Sequence, residues 1–510
     1  MERIKRSIFF WTLVALFLIT APLVVLYARG YRFDTNRGVF VHSGTITIKT
    51  NPQVINVKIN DDIRPSKNLN RINNSYNLTG LIPGDYNIEI SSPEFQTWRK
   101  KTDIHSGLAT EFWNVVLVRK NYERTAYDTP GIEKFFTSPF SQLIAYTAKE
   151  ENNLRVNIFD LAQEESVAAI SIPDWNFIEE ESANWRKENI EWSPEEDLVS
   201  IPVKKTVSVS PAKNKSKKAS PVPEETQVKY HYLIANIEEE TFFDLNDFLE
   251  TENIRYVRWD PGERDYIFYL SGTDLYRANV RNKEEKTLMA SDVTAFDLSR
   301  AGIFYVKKPN NLIFKKSLDG TGDPQQLTND FPDETSKVIS RVVVYDENRI
   351  AMLSQDKNFY SFNKGEHDTY FRKLGAQVEG MHYSDDGKKI LFWSNNEISV
   401  YFVRDWEVQP VRAENEMTNI TRFSEPVKNV QWFKDYEHII FSSGRYTKII
   451  EIDGRDLRNS MDLVNTELAN PFVIINNMEE LLYFTEKSGD STTLNSIIFP
   501  EPVPVLGFGG

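Results

Sequence analysis

His382-Tyr383-Ser384-Asp385-Asp386-Gly387-Lys388-Lys389 runs into the apolar stretch Ile390-Leu391-Phe392-Trp393 and then, past a short polar break, into Ile398-Ser399-Val400-Tyr401. The order is aromatic residue, polar turn, apolar strand, second apolar strand. Ser, Asp and Gly supply the local hydrogen bonds and backbone freedom that a tight turn needs. Ile, Val, Phe and Tyr suit half-buried, pleated strands. The same order returns elsewhere. Phe136-Thr137-Ser138-Pro139 precedes Leu143-Ile144-Ala145-Tyr146 and Val156-Asn157-Ile158-Phe159, and Trp192-Ser193-Pro194 precedes Leu198-Val199-Ser200-Ile201. Trp259-Asp260-Pro261-Gly262 precedes Tyr266-Ile267-Phe268-Tyr269, and Trp432 leads to His438-Ile439-Ile440-Phe441. Weaker copies begin near Phe296, Tyr345 and Ile475. A period of roughly 40 to 50 residues marks an array or closed ring of small sheets. An irregular β-sandwich with chance likeness between its hairpins is the alternative.

The phrase, clearest from Tyr383 to Trp393, resembles the repeat of TolB-like and WD40-like β-propellers over residues 130–500. The Trp-Asp ending of true WD40 blades does not recur, which favours the TolB-like, extracytoplasmic type. The resemblance implies a mainly β fold with a seven- or eight-bladed propeller, since the weaker copies can be merged or counted singly. It implies no particular activity, because propellers host many.

Composition narrows the function classes. The chain has 510 residues, 13% aromatics, no cysteine and a formal net charge of −14. That length suggests several domains. Without cysteine there is no disulfide, no thiol nucleophile and no cysteine-bound metal. The acidic balance argues against nucleic acid as a partner.

At the N-terminus Arg3, Lys5 and Arg6 precede an apolar run from Ile8 to Tyr27, interrupted by Thr12, Thr20 and Pro22. About 20 helical residues span a hydrocarbon core of roughly 30 Å, and Trp11 and Tyr27 suit the two interfaces. A cleaved signal peptide is the rival reading, but its apolar region runs about 7 to 15 residues before a small-x-small site. Here the run is longer and Tyr27-Ala28-Arg29 cleaves poorly. The expected organisation is a cytoplasmic tail at 1–6, a signal-anchor helix at 7–27 and a juxtamembrane linker at 28–43. Basic residues are balanced across the run, Arg3, Lys5 and Arg6 against Arg29, Arg32 and Arg37, so charge bias alone does not orient it. The downstream resemblances favour a single-pass plasma-membrane protein with a cytoplasmic N-terminus and an extracytoplasmic bulk.

Residues 44–120 read as a small β-sandwich. Gly44-Thr45-Ile46-Thr47-Ile48 alternates like a strand, Asn51-Pro52 turns it, and Val57-Lys58-Ile59-Asn60 leads to the turn Asp61-Asp62. Leu81-Ile82-Pro83-Gly84-Asp85-Tyr86 places a Pro-Gly turn before the alternating strand Tyr86–Ile90. This order resembles the PEGA domain, although the naming motif is replaced by Pro52-Gln53-Val54-Ile55 and the usual Gly-aromatic by Glu94-Phe95. Between Val203 and Lys229 a Lys-, Ser-, Pro- and Val-rich stretch is expected to be a disordered insertion in the propeller. It is either a solvated loop or a basic tether for anionic polymer. Residues 500–510 are expected to form a flexible tail.

Motifs for chemistry are mostly missing. His42, His105, His231, His367, His382 and His438 show no metal-ligand spacing, and no Gly-x-Ser-x-Gly elbow appears. Ser384-Asp385-Asp386-Gly387 lacks the residue that a sialidase Asp box places between Asp and Gly, so a turn is preferred. Asp319-Gly320-Thr321-Gly322-Asp323 has oxygen donors for Ca²⁺ but no distal Glu at loop spacing, so a hairpin turn is preferred again. The Glu runs at 179–181 and 238–240 read as solvated edges that discourage edge pairing. No catalytic, cofactor or metal residue is assigned, and no cofactor is expected. The functional expectation is a membrane-anchored module that binds an envelope protein or polysaccharide. An envelope-glycan enzyme and a structural surface-layer-like component are the alternatives.

Overall fold

The computed structural model describes residues 2–52, 55–64, 69–70, 75–150, 153–178, 189–209, 225–333 and 338–502. Strands hold 56% of the chain and helices 6%, so the fold is mainly β, as the repeat predicts.

A helix, Glu2–Ala28, opens the chain. Its apolar part, Ile4–Ala28, has a mean hydropathy of 2.5 and none of its residues is buried in the protein. At 1.5 Å per residue it measures about 37 Å, enough to cross a bilayer. A helix of this kind serves as a membrane anchor or a signal sequence. The stretch expected as a linker at 28–43 is ordered instead: Tyr31–Asp34 and Val39–His42 pair as an antiparallel hairpin.

Two four-stranded sheets lie between Gly44 and Val116, and Ala109–Val116 pairs parallel to Gly44–Asn51. Their alternating strands turn Ile46, Ile48, Ile88 and Ile90 inward, each at most 1% exposed.

Among the described residues eight further antiparallel sheets follow, at 132–173, 176–244, 254–290, 293–326, 339–375, 378–422, 427–465 and 473–498. The weaker copies near Phe296, Tyr345 and Ile475 each begin a sheet of their own. Ile390 and Phe392 of the sixth sheet pack on the fifth, while Leu391 and Trp393 pack on the seventh. Both faces are covered, which is why the strand reads as an unbroken apolar run and not as an alternation. Each such side chain contributes about 1.5–3 kcal/mol on burial. Every consecutive pair of sheets shares a hydrophobic cluster of this kind. The eighth sheet also packs on the first, with Phe135 and Phe472 5.3 Å apart. Its outer strand is Thr125–Ala126, from before the first sheet.

The insertion expected at 203–229 is narrower than the sequence suggested. Leu198–Val209 and Glu225–Asn236 pair along their whole length, from Leu198↔Asn236 to Val209↔Glu225. The β-branched residues Val203, Thr206, Val207 and Val209 favour the extended ladder over the disorder their Lys neighbours suggested. The rest of that segment, 210–224, lies outside the described residues, as do Glu179–Glu181 and 503–510. Glu238–Glu240 form an exposed turn. At the expected tail, Pro500 is buried and Glu501 pairs with Arg119.

Candidate functional site

The repeated turn has one geometry. Ser384 N donates to Lys389 O at 2.9 Å, and Ser384 Oγ accepts from Lys389 N at 3.0 Å while donating to the Asp386 carboxylate at 2.5 Å. Ser193 closes its own turn in the same way, with Leu198 N 3.0 Å from its Oγ and Asp197 accepting at 2.9 Å. Backbone closures at Ser138–Leu143 and Phe433–His438 repeat the pattern. These Ser and Asp side chains are therefore consumed by turn closure.

The turns fix what precedes them. The aromatic residue of one sheet reaches back to its predecessor. Trp259 Nε1 donates to Glu191 O at 3.1 Å, and Trp432 Nε1 donates to His382 O at 3.3 Å. On edge strands of the second, third, sixth and seventh sheets, the residue just before the aromatic is polar: Glu191, Arg258, His382 and Gln431. Asp297 and Arg341 lie on the first strands of the fourth and fifth sheets.

These side chains form one electrostatic row. Arg258 pairs with the Glu191 carboxylate, both about a quarter exposed. Asp297 accepts from Val344 N at 2.8 Å. Burial pushes the Glu191 carboxyl up while Arg258 pulls it back and Asp297 pushes it further. Burial also pushes Asp297 up, against the Val344 amide, Arg258 and Arg341. Burial draws the His382 imidazole down to about 3, and the nearby Arg341 cation adds to this. The row thus sets carboxyls and guanidinium groups in alternation, Glu191, Arg258, Asp297 and Arg341, and ends in His382, whose imidazole is neutral at pH 7. It offers hydrogen-bond donors and acceptors side by side.

Sequence reading assigned no site residue and missed this row, because its members are about 40 to 70 positions apart. A signal was present: the polar residue directly before Trp192, Trp259, Tyr383 and Trp432. Glu366, His367 and Asp405 bring ligand atoms within 4.8 Å of one another, all exposed. No sequence spacing announced that grouping. Asp319 accepts from Thr321 N at 2.9 Å and Thr321 Oγ1 at 2.8 Å. Those bonds, with Ser317, hold its carboxyl down at about 2. The side chain serves the hairpin turn.

No family model and no curated protein matches the chain. Solved structures of propeller-like proteins do, at low identity. The crystal structure of a eukaryotic initiation factor aligns with a TM-score of 0.42 and 12% identity over 74% of this chain and 89% of that one. Hsv2 of Kluyveromyces lactis gives 0.39 and 12% over 66% and 98%. Oligogalacturonate lyase in complex with manganese gives 0.35 and 8% over 75% and 98%.

Proposed function

We propose that the eight sheets are blades of a closed β-propeller, anchored to the plasma membrane by the N-terminal helix and displayed outside the cytoplasm together with a PEGA-like sandwich. The packing of the eighth sheet on the first supports closure. So does the donation of Thr125–Ala126 to the eighth sheet's outer edge. The propeller acts as a binding or scaffold module for an envelope protein or polysaccharide. The row Glu191, Arg258, Asp297, Arg341 and His382 carries this reading: in a closed ring the first strands line the axis, where a preformed polar face meets a ligand.

The full chain in nanodiscs, titrated with neutral and anionic envelope polysaccharides, tests it. Saturable binding weakened by Arg258→Gln, with no change in the polymer, is the expected result. Absence of binding to every envelope polymer and protein fraction would leave a structural role. A second reading, a glycan-active enzyme, draws on the carboxyls of Glu191 and Asp297, which burial holds above their ordinary range as a general acid requires. Release of shorter or unsaturated products, abolished by Glu191→Gln, would establish it instead. For topology, a reporter fused after residue 120 is expected to work only outside the cytoplasm.

A further inference from the structure

The hairpin that follows the N-terminal helix has an aromatic face whose outer half is exposed. Cross-strand pairing sets Tyr31 opposite His42 and Phe33 opposite Phe40, so all four rings share one face. Tyr31 and His42 meet edge to face at 5.2 Å, and Phe33 and Phe40 do the same at 5.2 Å. The first pair sits close to the sandwich, where a Cβ on Gly107 would lie 3.1 Å from the His42 ring. The second pair, nearer the tip, is 50% and 42% exposed. Exposed aromatic side chains on an isolated two-stranded ribbon cost free energy in water, and such a ribbon is marginal alone.

The hairpin is nevertheless well built. Buried Asp34 closes its tip by accepting from Asn36 N at 2.9 Å and Arg37 N at 3.2 Å. Its base is tied to the helix end, with Ser43 Oγ donating to Gly30 O at 2.7 Å. Arg32 donates to Tyr27 O at 3.0 Å and lies 3.7 Å over the Tyr27 ring. A ribbon fixed in this way holds a set orientation to the helix axis.

We propose that this aromatic face lies in the headgroup layer of the bilayer that the helix crosses, as a collar that fixes the sandwich against the membrane. The inference rests on the anchor reading above. Position selects the occupant: the first strand begins at Tyr31, immediately past the helix end at Ala28. A four-residue strand extends about 13 Å, so none of it can leave the interfacial zone by much. Aromatic rings with polar neighbours concentrate in that zone. The chemistry agrees, because Arg29, Arg32 and Arg37 flank the rings and complement lipid phosphates.

The absence of cysteine allows a direct test. Single variants Phe33→Cys, Phe40→Cys, Ile19→Cys and Leu457→Cys are labelled with an environment-sensitive fluorophore in the full chain. They are then reconstituted in nanodiscs with and without brominated phosphatidylcholine and phosphatidylglycerol. Ile19 lies inside the helix, and Leu457 is an 81% exposed loop residue of the seventh sheet. Labels at 33 and 40 are expected to be blue-shifted and quenched about twofold, between the strong quenching at 19 and none at 457. Quenching at 19 with a water-like signal at 33 and 40 overturns the collar alone. A blue shift at 33 and 40 without bromolipid quenching also overturns it, and points to a second copy or another protein on that face. No quenching at 19 overturns the anchor and the collar together.

Discussion

Lys100 of the small sandwich is buried against Glu451 of the seventh sheet, 351 positions further along the chain. Its Nζ pairs with the Glu451 carboxylate and donates to the carbonyls of Asp453 at 3.0 Å and Leu457 at 3.2 Å. Glu451 also accepts from Trp98 Nε1 at 2.9 Å and Asn459 N at 2.7 Å. The sandwich and the sheets therefore share a satisfied polar joint inside a common hydrophobic cluster. The sandwich is docked on the seventh sheet.

Removing one partner should expose how much the joint depends on the other. Lys100→Met leaves Glu451 buried without its cation, which costs about 3–5 kcal/mol. Chemical denaturation of the full chain in detergent is expected to show that loss. An unchanged midpoint would mean that the sandwich contributes nothing to the stability of the sheets.

The turn glycine of the clearest repeat makes a second expectation. Gly387 has φ +65°, and a Cβ there would sit 2.3 Å from the Tyr345 ring and 2.7 Å from Arg349 Nη1. Gly387→Ala therefore combines backbone strain with a clash and should cost about 1–3 kcal/mol. Gly489, at φ +61° with nothing within 4 Å, isolates the backbone part. Equal melting temperatures for the two alanine variants would remove the clash from the account.

What the sequence disclosed followed from local periodicity. Ser384 to Trp393 announced a turn and its strands because both depend on neighbours in the chain, but the strand is covered on both faces where composition suggested a half-buried one. The apolar run from Ile8 to Tyr27 announced its helix for the same reason. The hairpin at Tyr31–His42 stayed hidden because two four-residue strands carry too little periodic signal. Lys100 looked like any solvated lysine, since the carboxylate that buries it is contributed by Glu451. The row from Glu191 to His382 was equally illegible as a row, because only the stacking of successive sheets brings its charges within range.

His438 and Asp435 give the seventh turn a pH dependence. His438 Nδ1 lies 2.7 Å from Asp435 Oδ2, both nearly buried. Burial alone would lower the imidazole, but the Asp435 carboxylate outweighs it and the pKa rises. Burial would likewise raise Asp435, and the His438 cation outweighs it, so that carboxyl is lowered. A raised imidazole stabilises fully below its unfolded value of 6.5 and loses this as pH climbs through the folded value. The lowered carboxyl stabilises above 3.8. Asp435→Asn keeps an acceptor for the Glu437 and His438 amides while removing the charge. Its melting temperature should fall more at pH 6 than at pH 9. An equal loss at both would show that the pair is not ionic in the folded chain.

Lys389, in the turn of the sixth sheet, is fully buried, and among the described residues its Nζ has no hydrogen-bond partner. It rests 3.2 Å from the centre of the Trp406 ring. Burial draws its pKa down from 10.5 to about 8, against the pull of Asp386, Glu437 and Asp435. A lysine lowered in the folded state binds fewer protons there than in the unfolded chain. The cost of its charge is thus complete below about pH 8 and fades as pH approaches 10.5. Lys389→Met keeps the backbone bonds to Ser384 and fills the same space without an ammonium. It should stabilise the protein by about 1–3 kcal/mol at pH 7, after the lost cation–π contact with Trp406 is offset. The gain should shrink toward zero near pH 10. A destabilised Lys389→Met at pH 7 would show that the ammonium is held by more than the Trp406 face, and would turn this position from a buried cost into a functional one.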